Sequence, residues 1–521
     1  IPIEDDILQF ESRFESGNLA RAYHTQVLAY TLHLSSDLYT VKHTQWFYFR
    51  IANTRKGKIY TFKITNLLKP DSLYNHGMQP CCFSTLENQT AQRGWHRAGF
   101  ALCYFKNDHR VMHVRGDRHY YTLHFKWQAM HDNDTVYFAH CYPYTYTDLQ
   151  NYITDIAMDE RRAAVCRSRV LCHTLAGNVC DLLTITNFGV SQAEMAARRG
   201  VVFTARVHPG ETNASWMMKG VLDFLTSNDP DAVELRNNFV FKVVPMLNPD
   251  GVIVGNYRCS LAGVDLNRIY KNTLRDLYPT IWSTKMMMQR LARDREVMLY
   301  IDLHGHSRKQ NIFVYGCNHR HDPVKLLSER VFPRMVALNG PSHFSYRSSK
   351  FAVKKSKEST GRVQTWRLLN LVNTFTMEAT FCGSTQGRLA GKQFRQCDFE
   401  AIGPIILDSL MDFCDPDTAK VRRHEMVKKG LDSPVCASVT LCLSACLPVW
   451  LAGWLAGWLA GWLAGWLAGW LAGWLAVCLS ACLSVCVCTC ARTRTCTLLS
   501  SRCVLTPSFK TCIALHSETT F

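Results

Sequence analysis

Three short polar words, the first two set directly after apolar runs, constrain this chain more than anything else in it: His208-Pro-Gly-Glu211, Asp302-Leu-His304-Gly-His306 and Thr376-Met-Glu378-Ala-Thr380. The first follows Val201 to Val207 and precedes Trp216 to Leu225, whose apolar spacing is helical, so it reads as strand, turn, helix. The second follows Val297 to Ile301, which places His304 where that strand ends, and Glu378 comes after the strand-like Val372 to Met377. Strand ends are where open α/β sheets carry their sites. Together the words offer three candidate zinc ligands and a spare carboxylate. Two imidazoles plus one carboxylate match the three-ligand sets of hydrolytic zinc, which leave a position for water.

His-x-x-Glu by itself is weak evidence, since in a chain with 20 histidines its bland reading is a solvated turn. What raises it is company. Between the words stand Asn248-Pro-Asp-Gly-Val252, Asn256-Tyr-Arg258 and Gly263-Val-Asp-Leu-Asn-Arg268. This set, in this order, resembles the M14 zinc carboxypeptidases, and within them the cytosolic carboxypeptidases. Longer stretches carry the closer likeness: Arg206 to Trp216, Asn256 to Gly263, His304 to Lys309 and Lys355 to Arg362. Glu378-Ala-Thr-Phe-Cys-Gly-Ser384 and Leu410-Met-Asp-Phe-Cys-Asp-Pro416 are most similar to the second and third types of that branch.

The resemblance implies roles. His208, Glu211 and His304 would hold one zinc ion, and Glu378 would be the general base. Arg258 would polarise the scissile carbonyl, while Asn267 and Arg268 would grip the substrate's terminal carboxylate. A guanidinium forks onto a carboxylate through two hydrogen bonds, which is how an exopeptidase demands a free C-terminus. The lid tyrosine of digestive carboxypeptidases has no counterpart here, for no tyrosine occurs between Arg347 and Glu378. The stretch holds Lys354, Lys355, Lys357 and Arg362 instead. The family's terminal side-chain pocket draws on residues near Arg362, and a cation there would select glutamate. Lys354 and Lys355 read as a solvated loop. The substrates so implied are acidic C-terminal tails or polyglutamate side chains, tubulin and microtubules foremost, in a cytoplasmic protein of the microtubule, centriole or cilium.

Composition sets bounds around that reading. The net charge is +17, and the residues before 436, with 55 basic against 41 acidic side chains, carry +14 of it. A basic surface favours acidic partners. No basic run with interleaved aromatics occurs, so nucleic acid is not expected as a partner. Twelve of the 23 cysteines precede residue 436, without paired Cys-x-x-Cys spacing, and read as reduced thiols. The chain begins at Ile1 with no apolar leader, which reads as an internal start. The sequon Asn213-Ala-Ser215 sits too close to the expected metal site to take a glycan.

From about Phe14 to Tyr146 aromatic and β-branched residues alternate at period two, as in Tyr60 to Thr65 and Tyr120 to Phe125. That predicts an antiparallel β-sandwich. From Val170 to Asp415 strand-length apolar runs alternate with helical stretches, the α/β pattern. The expected layout is a sandwich over 1–155, a catalytic domain over 160–415 built on a mixed twisted sheet flanked by helices, a linker or helix end over 416–435, and a low-complexity tail over 436–521.

The tail repeats Trp-Leu-Ala-Gly from Trp450 to Ala476, and no charged residue occurs between Ser433 and Ala491. A four-base DNA repeat returns to frame every twelve bases and so encodes a four-residue repeat. The tail therefore reads as translated microsatellite without packed structure. A membrane anchor is the rival, but tryptophan at every fourth position is unlike the interfacial aromatic belts of real spans. Two other functions compete with the leading one. An aspartoacylase-like zinc amidohydrolase shares His-x-x-Glu but needs no leading sandwich, and an inactive tubulin-binding module would have no need of the intact His208, Glu211, His304 and Glu378.

Overall fold

The period-two segments of the first 140 residues become strands in a computed structural model that describes residues 7–111 and 118–415. The expectations for 416–435 and for the tail from 436 lie outside those residues. Two five-stranded sheets form. One runs Gln9–Glu11, Tyr48–Ala52, Val136–Ala139, Cys81–Ser84, His96–Arg97. The other runs Leu19–Gln26, Ala29–Leu34, Ile59–Leu67, His119–Gln128, Phe100–Arg110. Alternation decides the faces: along Ile59–Leu67 the residues Tyr60, Phe62 and Ile64 are buried while their neighbours are not. Phe138 of the first sheet meets Phe62, Phe125 and Trp127 of the second at ring-centroid distances of 5.5, 5.9 and 5.4 Å. Offset and edge-to-face aromatic pairs of this kind hold the layers together. One pairing departs from the antiparallel expectation, Ala29–Leu34 running parallel to Ile59–Leu67.

The chain leaves this region through a helix, Tyr146–Met158, whose start is fixed by a capping box between Thr145 and Asp148. A seven-stranded mixed sheet follows, in the order Cys166–His173, Val179–Ile185, Phe239–Val244, Arg199–Ala205, Val297–His306, Thr374–Thr380, Ile312–Tyr315. The middle four strands are parallel to one another, and the pairings outside them are antiparallel. Helices cover both faces. Val201 and Phe203 join Val221, Leu222, Ile406 and Leu407 of the helices Thr212–Leu225 and Ile402–Cys414 in one core. Val202 faces the other way and packs with Ile281, Met288 and Leu291 of Pro279–Asp294. Parallel strands buried on both faces read as unbroken apolar runs, which is why the three words stood out as polar interruptions. No helix of the described residues is long and apolar enough to cross a membrane.

Candidate metal centre

The parallel strands of the central sheet deliver the polar words to one edge. His304 and Glu378 are paired neighbours on adjacent parallel strands, so their side chains rise from the same face. His208 and Glu211 lie in the turn after Arg199–Ala205, and the neighbouring strand carries His304. Glu211 is the N-cap residue of Thr212–Leu225 yet makes no side-chain cap. Its carboxylate is committed elsewhere. Oε1 lies 2.7 Å from His208 Nδ1, and Oε2 lies 3.0 Å from His304 Nδ1 and accepts from Gly305 N at 2.9 Å. Gly305 permits this approach, because a Cβ there would stand 2.4 Å from Asn213 Oδ1 and 3.1 Å from Glu211 Cβ. Asn213 itself is buried and donates to Ala379 O at 2.8 Å, leaving no room for a glycan.

Behind each imidazole stands a carboxylate. His304 Nε2 is 2.7 Å from Asp302 Oδ2, and His208 Nε2 is 3.1 Å from Asp265 Oδ1. Carboxylates of this kind only accept, so with a cation bound among His208, Glu211 and His304 the ring protons would sit on Nε2 and both Nδ1 atoms would offer lone pairs. Those two Nδ1 atoms face each other at 3.2 Å, with Glu211 between them. The donor atoms of His208, Glu211 and His304 all fall within 4.8 Å of one another, and all three residues are buried. Three converging donor atoms of this kind could hold a cation. Burial opposes charge on this set, yet Asp302 and Glu211 carry the His304 pKa well above its ordinary value, and the two imidazoles hold the Glu211 carboxyl well below its own.

Glu378 is set apart. Its carboxylate makes no hydrogen bond among the described residues, and burial, with Glu211 adding repulsion, pushes its pKa up to about 7. An unpartnered carboxylate poised near neutrality is suited to taking a proton. Arg258 donates from Nε to Asp265 Oδ2 at 2.7 Å, so one carboxylate steadies both His208 and Arg258. Arg268 lies 3.8 Å from the same Asp265. Asn267 accepts from Gly361 N at 2.9 Å, and its Nδ2 lies 3.4 Å from His304 Nε2. Arg362 opens the helix Gly361–Leu369 and is buried, its guanidinium donating to the Gly316 carbonyl and, at 3.1 Å, to Cys317 Sγ. Its Nε is buried without a partner, and no carboxylate pairs with it among the described residues. Lys354, Lys355 and Lys357 are exposed.

Several supporting groups carry little or no local sequence signal. Asp37, from the β region, accepts from Tyr257 N at 2.6 Å and from Arg258 N and Cys259 N at 2.7 Å each, so it clamps the loop that carries Arg258. Lys69, also from the β region, donates to Ser307 Oγ at 2.6 Å and to the Tyr257 hydroxyl, and burial with the nearby Arg258 brings its pKa down to about 7. Arg206 sits in the left-handed region at φ 56°, an uncommon place for a side-chain-bearing residue. Its guanidinium holds that turn in place, donating to Pro209 O at 2.7 Å, Tyr144 O at 2.9 Å and Ser215 Oγ at 2.8 Å. Asp302 and Asp265 had a signal, since both lie inside the quoted words. Asp37 and Lys69 had none.

Comparison with known proteins agrees with this geometry. The zinc carboxypeptidase family matches residues 152–401, and the cytosolic carboxypeptidase N-terminal domain matches residues 10–141. Cytosolic carboxypeptidase 2 of Danio rerio is 52% identical over 421 residues, 81% of this chain and 58% of its own length. The human cytosolic carboxypeptidase 2 is 53% identical over 417 residues, covering 80% of this chain and 46% of that protein. Cytosolic carboxypeptidase 3 of Bos taurus is 51% identical over 418 residues, 80% of this chain and 41% of its own. The chain thus spans about half the length of the curated relatives it matches. Among solved structures, a metallo-carboxypeptidase from Burkholderia cenocepacia superposes with a TM-score of 0.61 at 18% identity, over 78% of this chain and 98% of that one. A metallo-carboxypeptidase from Pseudomonas aeruginosa gives 0.61 at 21% identity, over 77% and 98%. These two share the fold.

Proposed function

Since the chain belongs to the zinc carboxypeptidases, in their cytosolic branch, we propose that it is a zinc-dependent exopeptidase that removes glutamates from acidic protein tails. The observation that carries the catalytic part is the pairing of a converging His208, Glu211, His304 donor set with an unpartnered Glu378 in register beside it. One zinc ion held there would lower the pKa of bound water to about 7 and polarise a carbonyl oxygen. Glu378 takes the proton released by the attacking water and returns it to the departing amine. Arg258, anchored on Asp265, faces the oxygen on which negative charge grows. Arg268 and Asn267 hold the terminal α-carboxylate.

The acidic preference rests on Arg362. A buried guanidinium with only a carbonyl and a thiol for company has capacity left for a carboxylate. Glutamate is the acidic residue whose side chain would reach it. Tubulin tails, polyglutamylated on side chains or ending in glutamate, are the substrate we favour, and the names of the relatives support a cytosolic setting. Arg362→Ala should lower kcat/KM on glutamate ends by about a hundredfold, with a much smaller loss on neutral ends. Equal losses on both would assign Arg362 to the fold and leave the acidic preference to another cation, Lys357 first.

A further inference from the structure

We propose that the N-terminal β region carries a second binding site, a basic groove that takes the acidic chain upstream of the residue removed. A groove of about 800 Å³ opens beside the strands Phe100–Arg110 and His119–Gln128 and the Arg258 loop; its basic lining is Lys42, His43, Lys69, Lys106, Arg118 and His119, of which Lys42, Lys106 and Arg118 carry full charge at neutral pH while burial brings His43 down to about 4 and Lys69 to about 7, and no carboxylate stands among the described residues that line it. Elsewhere Lys219, Arg162 and Arg258 each meet an aspartate, whereas this lining gathers cations with no carboxylate beside them. Lys42, Lys106 and Arg118 are exposed and make no salt bridge among the described residues. A cleft lined by one sign of charge concentrates ligands of the other.

The groove leads to the catalytic centre. Tyr257 forms part of its wall, Lys69 donates to the Tyr257 hydroxyl, and the next residue along the chain is Arg258. His43, at the inner end, lies within electrostatic reach of Arg258 and Asp265. Arg362 belongs to a different wall, set against the turn after Ile312–Tyr315. A substrate with its last side chain at Arg362 and its scissile carbonyl at Arg258 would continue toward Lys69 and then between Lys42, Lys106 and Arg118. This site rests on the proposed function for its direction and for the peptide nature of its ligand. The lining supplies the sign of the ligand's charge, and its continuity with the Arg258 loop makes a run of carboxylates on an extended peptide the ligand we infer.

The test uses the full chain. Binding of a fluorescein-labelled oligoglutamate peptide is followed by anisotropy at low and high salt, for Glu378→Gln and for the same protein carrying Lys106→Glu and Arg118→Glu. Turnover of blocked glutamyl-glutamate, too short to enter the groove, is measured with the charge reversals alone. We expect the reversals to weaken oligoglutamate binding by on the order of tenfold, the unreversed protein to lose affinity as salt rises, and short-substrate turnover to stay unchanged. Unchanged oligoglutamate affinity, or a parallel fall in both measurements, would overturn the groove. Should the enzyme cleave no glutamate end at all, the proposed function fails, while a difference in oligoglutamate binding still supports the groove.

Discussion

His208, Glu211, His304 and Glu378 all stand in the α/β region, at or just beyond strand ends of a single sheet, and Asp265 of that region holds the Arg258 guanidinium, whereas the carboxylate that clamps the Arg258 backbone comes from the β region. Asp37 reaches across 221 residues of sequence to hold the Arg258 amide, and Lys69 reaches across 238 to Ser307. The α/β region thus supplies the atoms that would meet metal and substrate, and the β region fixes one wall of the site. Tyr144, at the end of the β region, adds a carbonyl that holds the strained Arg206. A peptidase sheet without its leading region would keep the metal ligands and lose the clamp on Arg258. The comparison also explains why apolar patterning alone could not reveal the second contribution: a clamp needs only one buried carboxylate on a loop.

The largest expected effect separates binding from chemistry inside the α/β region. His304→Ala should lose stoichiometric metal by elemental analysis, while Glu378→Gln keeps the metal and loses about a thousandfold in kcat. Comparable turnover in Glu378→Gln would take the base role from that residue. The next effect crosses between the regions. Asp37→Ala leaves three amides without an acceptor, each of which costs roughly 1–3 kcal/mol when buried, and should lower kcat/KM by about 10-fold to 100-fold with metal content unchanged. Asp134→Ala is the control, since Asp134 is equally buried but serves only the Ser84 and Thr85 end of a β-region strand. It should lower Tm and spare kcat/KM. If the two variants behave alike, the β region is only a scaffold.

The smallest effect concerns stability. The Glu378 pKa is raised to about 7 from an ordinary 4.5, so the folded state binds that proton more tightly than the unfolded chain. The stability it contributes is fully present below pH 4.5 and is lost as pH rises through 7. In metal-free protein, Glu378→Gln should therefore raise Tm by a few degrees at pH 8 and leave it nearly unchanged at pH 4. A shift of equal size at both pH values would mean that packing, not charge, is the cause.

Much of the α/β region was legible because its signals are local. His208 to Glu211 is one turn, Asp302 to His304 is the end of one strand, and both sit after apolar runs of strand length. Asp265 and Asp302 lay inside the same words, though their place behind the imidazoles needed the sheet register to appear. Arg362 was placed by resemblance, and the structure adds that its guanidinium leans on Gly316 and Cys317, a contact no local pattern encodes. The antiparallel sandwich was readable from alternation, but the parallel pairing of Ala29–Leu34 with Ile59–Leu67 was not, since period two is the same in either direction. Asp37 and Lys69 sit in loops between strands, where a charged residue ordinarily means only solvent.

Zinc-dependent removal of glutamate is decided by mass spectrometry of a glutamate-terminated, polyglutamylated tubulin-tail peptide incubated with the full chain, with zinc and with a chelator. The expected result is a ladder of successive glutamate losses in zinc that stops at neutral residues, is abolished by the chelator, and is absent with Glu378→Gln. Cleavage that survives the chelator, or that removes neutral ends as fast as glutamates, would contradict it.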